Sequence, residues 1–367
     1  MLITVEKSEF LKELQLIQTV AERKSTIPIL SNVLLETVGD KIKLAATDLE
    51  VGSSSLVPAK VEKEGSLTVS ARLLYDIVRQ LPEAPMKLEQ VDSFLSITCG
   101  GAQFKLVALS KEDFPSFPSY DFEKGLKIEA DLLKNMIIKT AFAATEEESR
   151  FALNGALTTI SLGEMKMVAT DAHRLAIFSI GLPELAPSSE IKVIVPKKAL
   201  YEMKNAISDE GDVVLGVSEN QFFLKAKERM IFSRLIEGQF PNYERVIPKD
   251  SDKKAIVPRE DLVGALRRVS LLANERSRGV RLFLEKGKLE ISSANPERGE
   301  AKEELAVDYN GDSITIGFNA QYLLDFLNVI DEDKVIVELK NESTQGLFYP
   351  AGETGYKYLY IVMPMRI

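Results

Sequence analysis

Residues 170–175 read Thr-Asp-Ala-His-Arg-Leu and hold the only histidine of the chain beside an aspartate and an arginine. General acid–base catalysis and anion recognition both draw on these residue types. A second Thr-Asp pair, Thr47-Asp48, also ends an apolar run. Two carboxylates at strand ends could bind Mg²⁺ or activate water, so a Mg-dependent nuclease or hydrolase using Asp48 and Asp171 is one reading. The rest of the inventory argues against it. With one His and one Cys (Cys99), any Ser-His-Asp or Cys-His arrangement would have to use His173. No His or Cys cluster has metal-ligand spacing, and there is neither a GxxxxGK[ST] loop nor a GxGxxG after a strand. Asp48 and Asp171 fall at equivalent places in separate copies of a repeated unit. A short acid after a strand is an ordinary turn former. The sequence therefore assigns no catalytic residue, no metal and no cofactor, and His173 reads as a structural or ligand-contact residue.

The elements that must position these residues come three times. Each third opens with a short strand and a helix. Helical spacing appears at Phe10, Leu14, Ile17 and Ala21, at Leu133, Met136, Ile137 and Thr140, and at Leu262, Leu266, Val269 and Leu272 or Ala273. Next comes a strand with a polar stop: Lys43 to Asp48, Lys166 to Asp171 and, more loosely, Glu290 to Asn295. A second helix follows from Ser70, Pro196 and Asn319, residues suited to helix starts. Alternating strands come after it, and a proline closes each unit at Phe114-Pro115, Phe240-Pro241 and Met363-Pro364. The expectation is an α+β chain of three tandem similar domains, each of two helices plus antiparallel sheets. They would run 1–121, 122–250 and 251–367.

A net charge of −9 argues against binding nucleic acid by bulk electrostatics. Its distribution matters more. Arg72, Arg79, Lys197, Lys198 and Lys204 sit on the second helices, while acid gathers in runs such as Glu146-Glu147-Glu148. A helix-lined surface would be basic on an acidic body, suited to phosphate contacts without base readout. The single cysteine suits a reducing cytoplasm. No apolar run approaches the ~20 residues that span a bilayer, so no membrane partner is expected.

The triplication, Ile27-Pro28-Ile29-Leu30-Ser31-Asn32, Ala169 to Leu175, Phe240-Pro241-Asn242-Tyr243-Glu244-Arg245-Val246 and Met363-Pro364-Met365-Arg366-Ile367 together resemble the bacterial β sliding clamps, the processivity subunits of DNA polymerase III. The resemblance covers the whole chain. It implies a DNA clamp fold in which the chain forms half of a closed homodimeric ring. That ring would encircle double-stranded DNA without reading sequence and would not itself be an enzyme. It also implies a pocket for short linear motifs of the polymerase III alpha subunit, the clamp loader and repair proteins. The pocket would use Leu153, Thr170, His173, Arg174, Leu175, Pro241, Arg245, Val246, Leu347, Ile361, Met363, Pro364, Met365 and Arg366. DNA contacts carry over to Lys24 and Arg150, joined by Arg72, Lys197 and Lys198 of the second helices. The dimer seam would set Phe104 and Leu106 against Leu271 and Leu272. Ala172 departs from the family, which commonly has Gly there. A monomeric adaptor using the same pocket is the remaining alternative.

Overall fold

A computed structural model describes residues 1–22, 26–184, 187, 189–208 and 210–366. Among them lie six α-helices: α1 (Lys7–Val20), α2 (Ala71–Gln80), α3 (Ala130–Thr140), α4 (Lys197–Ala206), α5 (Arg259–Val269) and α6 (Ala320–Leu327). The odd helices are the openings read from the spacing, and the even ones are the second helices, of which α2 and α6 carry side-chain caps from Ser70 and Asn319. Contacts divide the chain into two compact units, residues 1–134 with 198–235, and residues 135–197 with 236–367.

In the first unit α1 buries Phe10, Leu14, Ile17 and Val20, three or four residues apart and so on one face. α2 starts at Ser70, whose side chain accepts from Leu73 N, and buries Ala71, Leu74 and Val78. Thirteen antiparallel strands form one sheet, in the order 126–129, 212–218, 221–226, 229–234, 51–58, 41–47, 32–38, 66–70, 102–109, 94–99, 85–91, 2–6 and 60–63. Strands Val51–Pro58 and Arg229–Arg234 pair across this sheet, with Gly52 opposite Phe232 and Ser53 opposite Ile231. A part-buried ion pair fastens the joint. Glu13 of α1 accepts from Arg229 Nε at 2.8 Å and Nη2 at 2.6 Å, and from Ser55 Oγ at 2.6 Å. Burial pushes the Glu13 carboxyl up, but Arg229 and Ser55 outweigh it and hold it below the usual range. Arg229 Nη1 also donates to Ala206 O at 2.6 Å, placing a cation on the C-terminal end of α4.

In the second unit eight antiparallel strands run in the order 191–196, 155–161, 164–170, 174–181, 357–362, 346–350, 334–339 and 253–258. The joint here is Arg174–Gly181 against Lys357–Val362, with Leu175 opposite Ile361. A four-stranded sheet (299–306, 288–295, 279–285, 314–319) packs with α5, which also contacts α6. α5 runs on into a 3₁₀ turn, Ser270–Leu272, after which Ala273 is buried and Leu272 only half so. The buried Lys139 of α3 donates to Val329 O at 2.7 Å just past α6, and Tyr358 OH donates to Lys139 O at 2.6 Å.

Candidate functional site

The Thr-Asp-Ala-His-Arg run is a turn joining strands Glu164–Thr170 and Arg174–Gly181. Its side chains bond their own backbone. Thr170 Oγ1 donates to Arg174 O at 2.5 Å and accepts from Ala172 N at 3.1 Å. Asp171 Oδ1 accepts from both His173 N and Arg174 N at 2.9 Å. The chain pays for this tightness at Ala172, a non-glycine residue held at φ 74°. Asp171 is thus engaged in holding the turn. Asp48 is engaged likewise, accepting from Glu50 N at 2.9 Å and Val51 N at 2.6 Å. Among the described residues no group of three or more His, Cys, Asp or Glu is arranged to hold a metal ion.

Beside the turn lies a cavity of about 190 Å³, lined by Leu153, Thr170, Ala172, His173, Arg174, Leu175, Pro241, Asn242, Tyr243, Val246, Ile361 and Met363. Its floor is an apolar cluster that includes Leu153, Leu157, Val168, Leu175, Leu347 and Ile361, with Tyr243 and Val246 packed against it. Such a lining has apolar walls and a few polar groups, which suits binding rather than bond-breaking chemistry. His173 is exposed at the mouth, and its carbonyl accepts from Met363 N at 2.8 Å, tying the turn to the last strand.

Of the fourteen residues expected here, the structure brings nine to the cavity: Leu153, Thr170, His173, Arg174, Leu175, Pro241, Val246, Ile361 and Met363. Leu347 lies beneath them in the cluster. Arg245, Pro364, Met365 and Arg366 are not in the lining, and Met365 N instead donates to Gly317 O at 2.9 Å. Sequence reasoning missed Asn242 and Tyr243 as lining residues, although both sit inside the Phe-Pro-Asn-Tyr landmark between Pro241 and Arg245.

Arg174 lines the cavity, and its guanidinium is held by partners on three sides. Nε donates to Asp171 Oδ2 at 3.0 Å, Nη1 to Asp325 Oδ2 at 2.5 Å and Nη2 to Phe142 O at 3.1 Å. The group also lies over the rings of Tyr322 and Phe142, 4.4 and 5.4 Å from their centroids. Burial alone would lower its pKa, but the carboxylates of Asp325 and Asp171 offset that and hold the cation firmly charged. Burial raises the Tyr360 hydroxyl well above the ordinary phenol range, and that hydroxyl donates to Tyr322 O at 2.9 Å.

The basic residues expected to meet DNA are Lys24, Arg72, Arg150, Lys197 and Lys198. Lys24 lies outside the described residues. In the first unit Arg72 is exposed near Asp76, and Lys198 pairs with Asp48. In the second, Arg150 Nη1 donates to Asp171 O at 2.7 Å, and Lys197 Nζ donates to Ala144 O at 2.9 Å beside Glu146. Of the expected seam residues, Phe104 is 38% exposed and Leu271 72%, whereas Leu106 is buried and Leu272 half-buried.

Comparison with known proteins follows the repeat. Three family models match in succession: the DNA polymerase III beta subunit N-terminal domain over residues 1–118, its central domain over 127–242 and its C-terminal domain over 244–366. The chain is 38% identical to the beta sliding clamp of Pseudomonas putida over 99% of both chains, and 35% identical to that of Caulobacter vibrioides over the whole of both. Among solved structures it resembles the sliding clamp from Pseudomonas aeruginosa bound to griselimycin, with a TM-score of 0.93 at 36% identity and 100% coverage of both chains. The Bacillus subtilis sliding clamp matches with the same TM-score at 29% identity, over 100% of this chain and 99% of that one.

Proposed function

The chain belongs to the DNA polymerase III beta subunits, the bacterial sliding clamps, and we propose that it closes with a second copy into a ring whose cavity captures the polymerase. It is a non-catalytic processivity factor of DNA replication, and the relatives lend no support to a nuclease or a lone adaptor. Such a protein works in the cytoplasm, where the chromosome is. The three domains we assign to it run 1–121, 122–250 and 251–367.

One observation carries the ring: a joint that is made twice within the chain and left open at both ends. The strand after the first Thr-Asp turn, Val51–Pro58, pairs with the last strand of the middle repeat, Arg229–Arg234. The strand after the second turn, Arg174–Gly181, pairs with the last strand of the third repeat, Lys357–Val362. By the same rule Gly299–Ala306, which follows Asn295, needs the last strand of a first repeat. It lies at a sheet edge with one side unpaired among the described residues. Among the described residues the last strand of the first repeat, Ala102–Leu109, pairs on its second side only at Ala108 and Leu109. A second copy satisfies both edges, and two such joints close the ring. Unpaired edges left open otherwise invite uncontrolled pairing.

A ring holds DNA by topology, so its bore needs only weak phosphate contacts, which an acidic chain with basic helices supplies. Lys24, Arg72, Arg150, Lys197 and Lys198 are the contacts we assign. The polymerase III alpha subunit, clamp loader and repair proteins dock through short apolar motifs in the cavity beside His173, with Arg245, Pro364, Met365 and Arg366 at its margin. Griselimycin, found on the Pseudomonas aeruginosa relative, is taken to occupy the same cavity. The test is titration of the polymerase III alpha subunit against the chain. Griselimycin should compete with it, and Met363→Asp, a change at a partly exposed lining residue, should weaken binding at least about tenfold, roughly 1.4 kcal/mol. Undiminished binding in both arms would sink the assignment of the cavity.

A further inference from the structure

The turn that walls the cavity has a twin in the first unit. Thr47 Oγ1 donates to Val51 O at 2.9 Å and accepts from Leu49 N at 3.0 Å, while Asp48 Oδ1 accepts from Glu50 N and Val51 N. Leu49 is left-handed at φ 76°, matching Ala172 at 74°. Equivalent positions can therefore be counted off the two turns. Gly52 stands where the second unit has Leu175, and their cross-strand neighbours are Phe232 and Ile361. Phe117 follows a Phe-Pro pair as Tyr243 does.

The substitutions run in one direction. Where the second unit has aliphatic Leu175 and Ile361 beside an open cavity of about 190 Å³, the first has a ring lying over a glycine. A Cβ on Gly52 would stand 2.2 Å from two atoms of the Phe232 ring, so only glycine admits the ring there. Phe117 meets Phe232 edge-on at 4.8 Å, and Phe232 is left 6% exposed.

We propose that Phe232 is a built-in occupant of a latent second docking hollow, and that the Gly52–Phe232 pair restricts each chain to one site for short apolar peptides. The inference rests on the reading that the open cavity docks such peptides. A ring held on the same chain acts at a high effective concentration, so a free peptide would have to displace it to enter the hollow. A homodimer then offers two docking sites, not four, and partners exchange by competition at them.

Isothermal titration with griselimycin tests this. Wild type should take up one molecule per chain. Gly52→Leu with Phe232→Ile, which rebuilds the aliphatic wall, should take up two. The converse transplant, Leu175→Gly with Ile361→Phe, should seat a ring in the open cavity and lose at least tenfold in affinity, with circular dichroism unchanged. One molecule per chain in the folded first variant, or undiminished affinity in the transplant, would overturn the inference alone. No uptake by wild type would overturn the cavity reading, and this inference with it.

Discussion

At the residue scale, Arg174 shows how far a resemblance carries. Its place in a run shared with the β sliding clamps marked it for the cavity, and it lines that cavity. The partners of its guanidinium were not legible. Asp325 and Phe142, which hold it, are 151 and 32 residues away, and nothing local reports them. The turn itself was legible, because Asp and Thr bond backbone groups within three or four residues. A nearly buried cation with two carboxylate partners is costly to break from one side. Arg174→Met is therefore expected to destabilise by on the order of 3 kcal/mol, since it strands Asp171 and Asp325. Asp325→Asn should cost less, because an amide oxygen still accepts. Chemical unfolding of the two variants decides it, and an Arg174→Met curve superposed on wild type would refute a structural role for the network.

At the element scale, the repeated openings and second helices were readable because both signals are local. Helical faces such as Phe10, Leu14 and Ile17 repeat every three or four residues, and Ser70 and Asn319 each bond the first turn of their helix. Which strands pair across the repeats was not readable, since any alternating strand could take the place of Arg229–Arg234 beside Val51–Pro58. The same limit hid the contact between α1 and α4. Thr19 Oγ1 lies 2.6 Å from Leu16 O and 2.6 Å from Glu202 Oε2. One hydroxyl proton cannot serve both, so a protonated Glu202 satisfies the set better. Burial also raises the Glu202 pKa, against the lowering effects of Thr19 and Lys198. A raised carboxyl pKa means the folded state holds its proton more tightly than the unfolded one. The resulting penalty is absent below the unfolded value near 4.5 and grows as pH rises through the folded value. Glu202→Gln should accordingly raise the melting temperature at pH 7 and leave it unchanged at pH 4. An equal shift at both pH values would contradict the proton count.

At the scale of the whole molecule, edges and charge decide assembly and the hold on DNA. Phe104 lies on the strand face that farther along buries Leu106 and Ala108, yet it stays exposed on the stretch of strand whose second side is unpaired among the described residues. Leu271 stands out on the turn after α5. Exposed apolar side chains at open edges are what a dimer seam would cover. Phe104→Asp is expected to shift sedimentation from twice the 40.8 kDa chain mass toward the single chain, and an unaltered dimer would move the seam elsewhere. The central claim, that a net charge of −9 is compatible with DNA retention because the hold is topological, is tested most directly on a circle. The chain is loaded on nicked circular DNA with a clamp loader and ATP, washed at moderate salt, and the circle is then cut once. Retention through the wash and release on cutting are expected of a closed ring. Loss in the wash before cutting, or persistence on linear DNA with free ends, would contradict it.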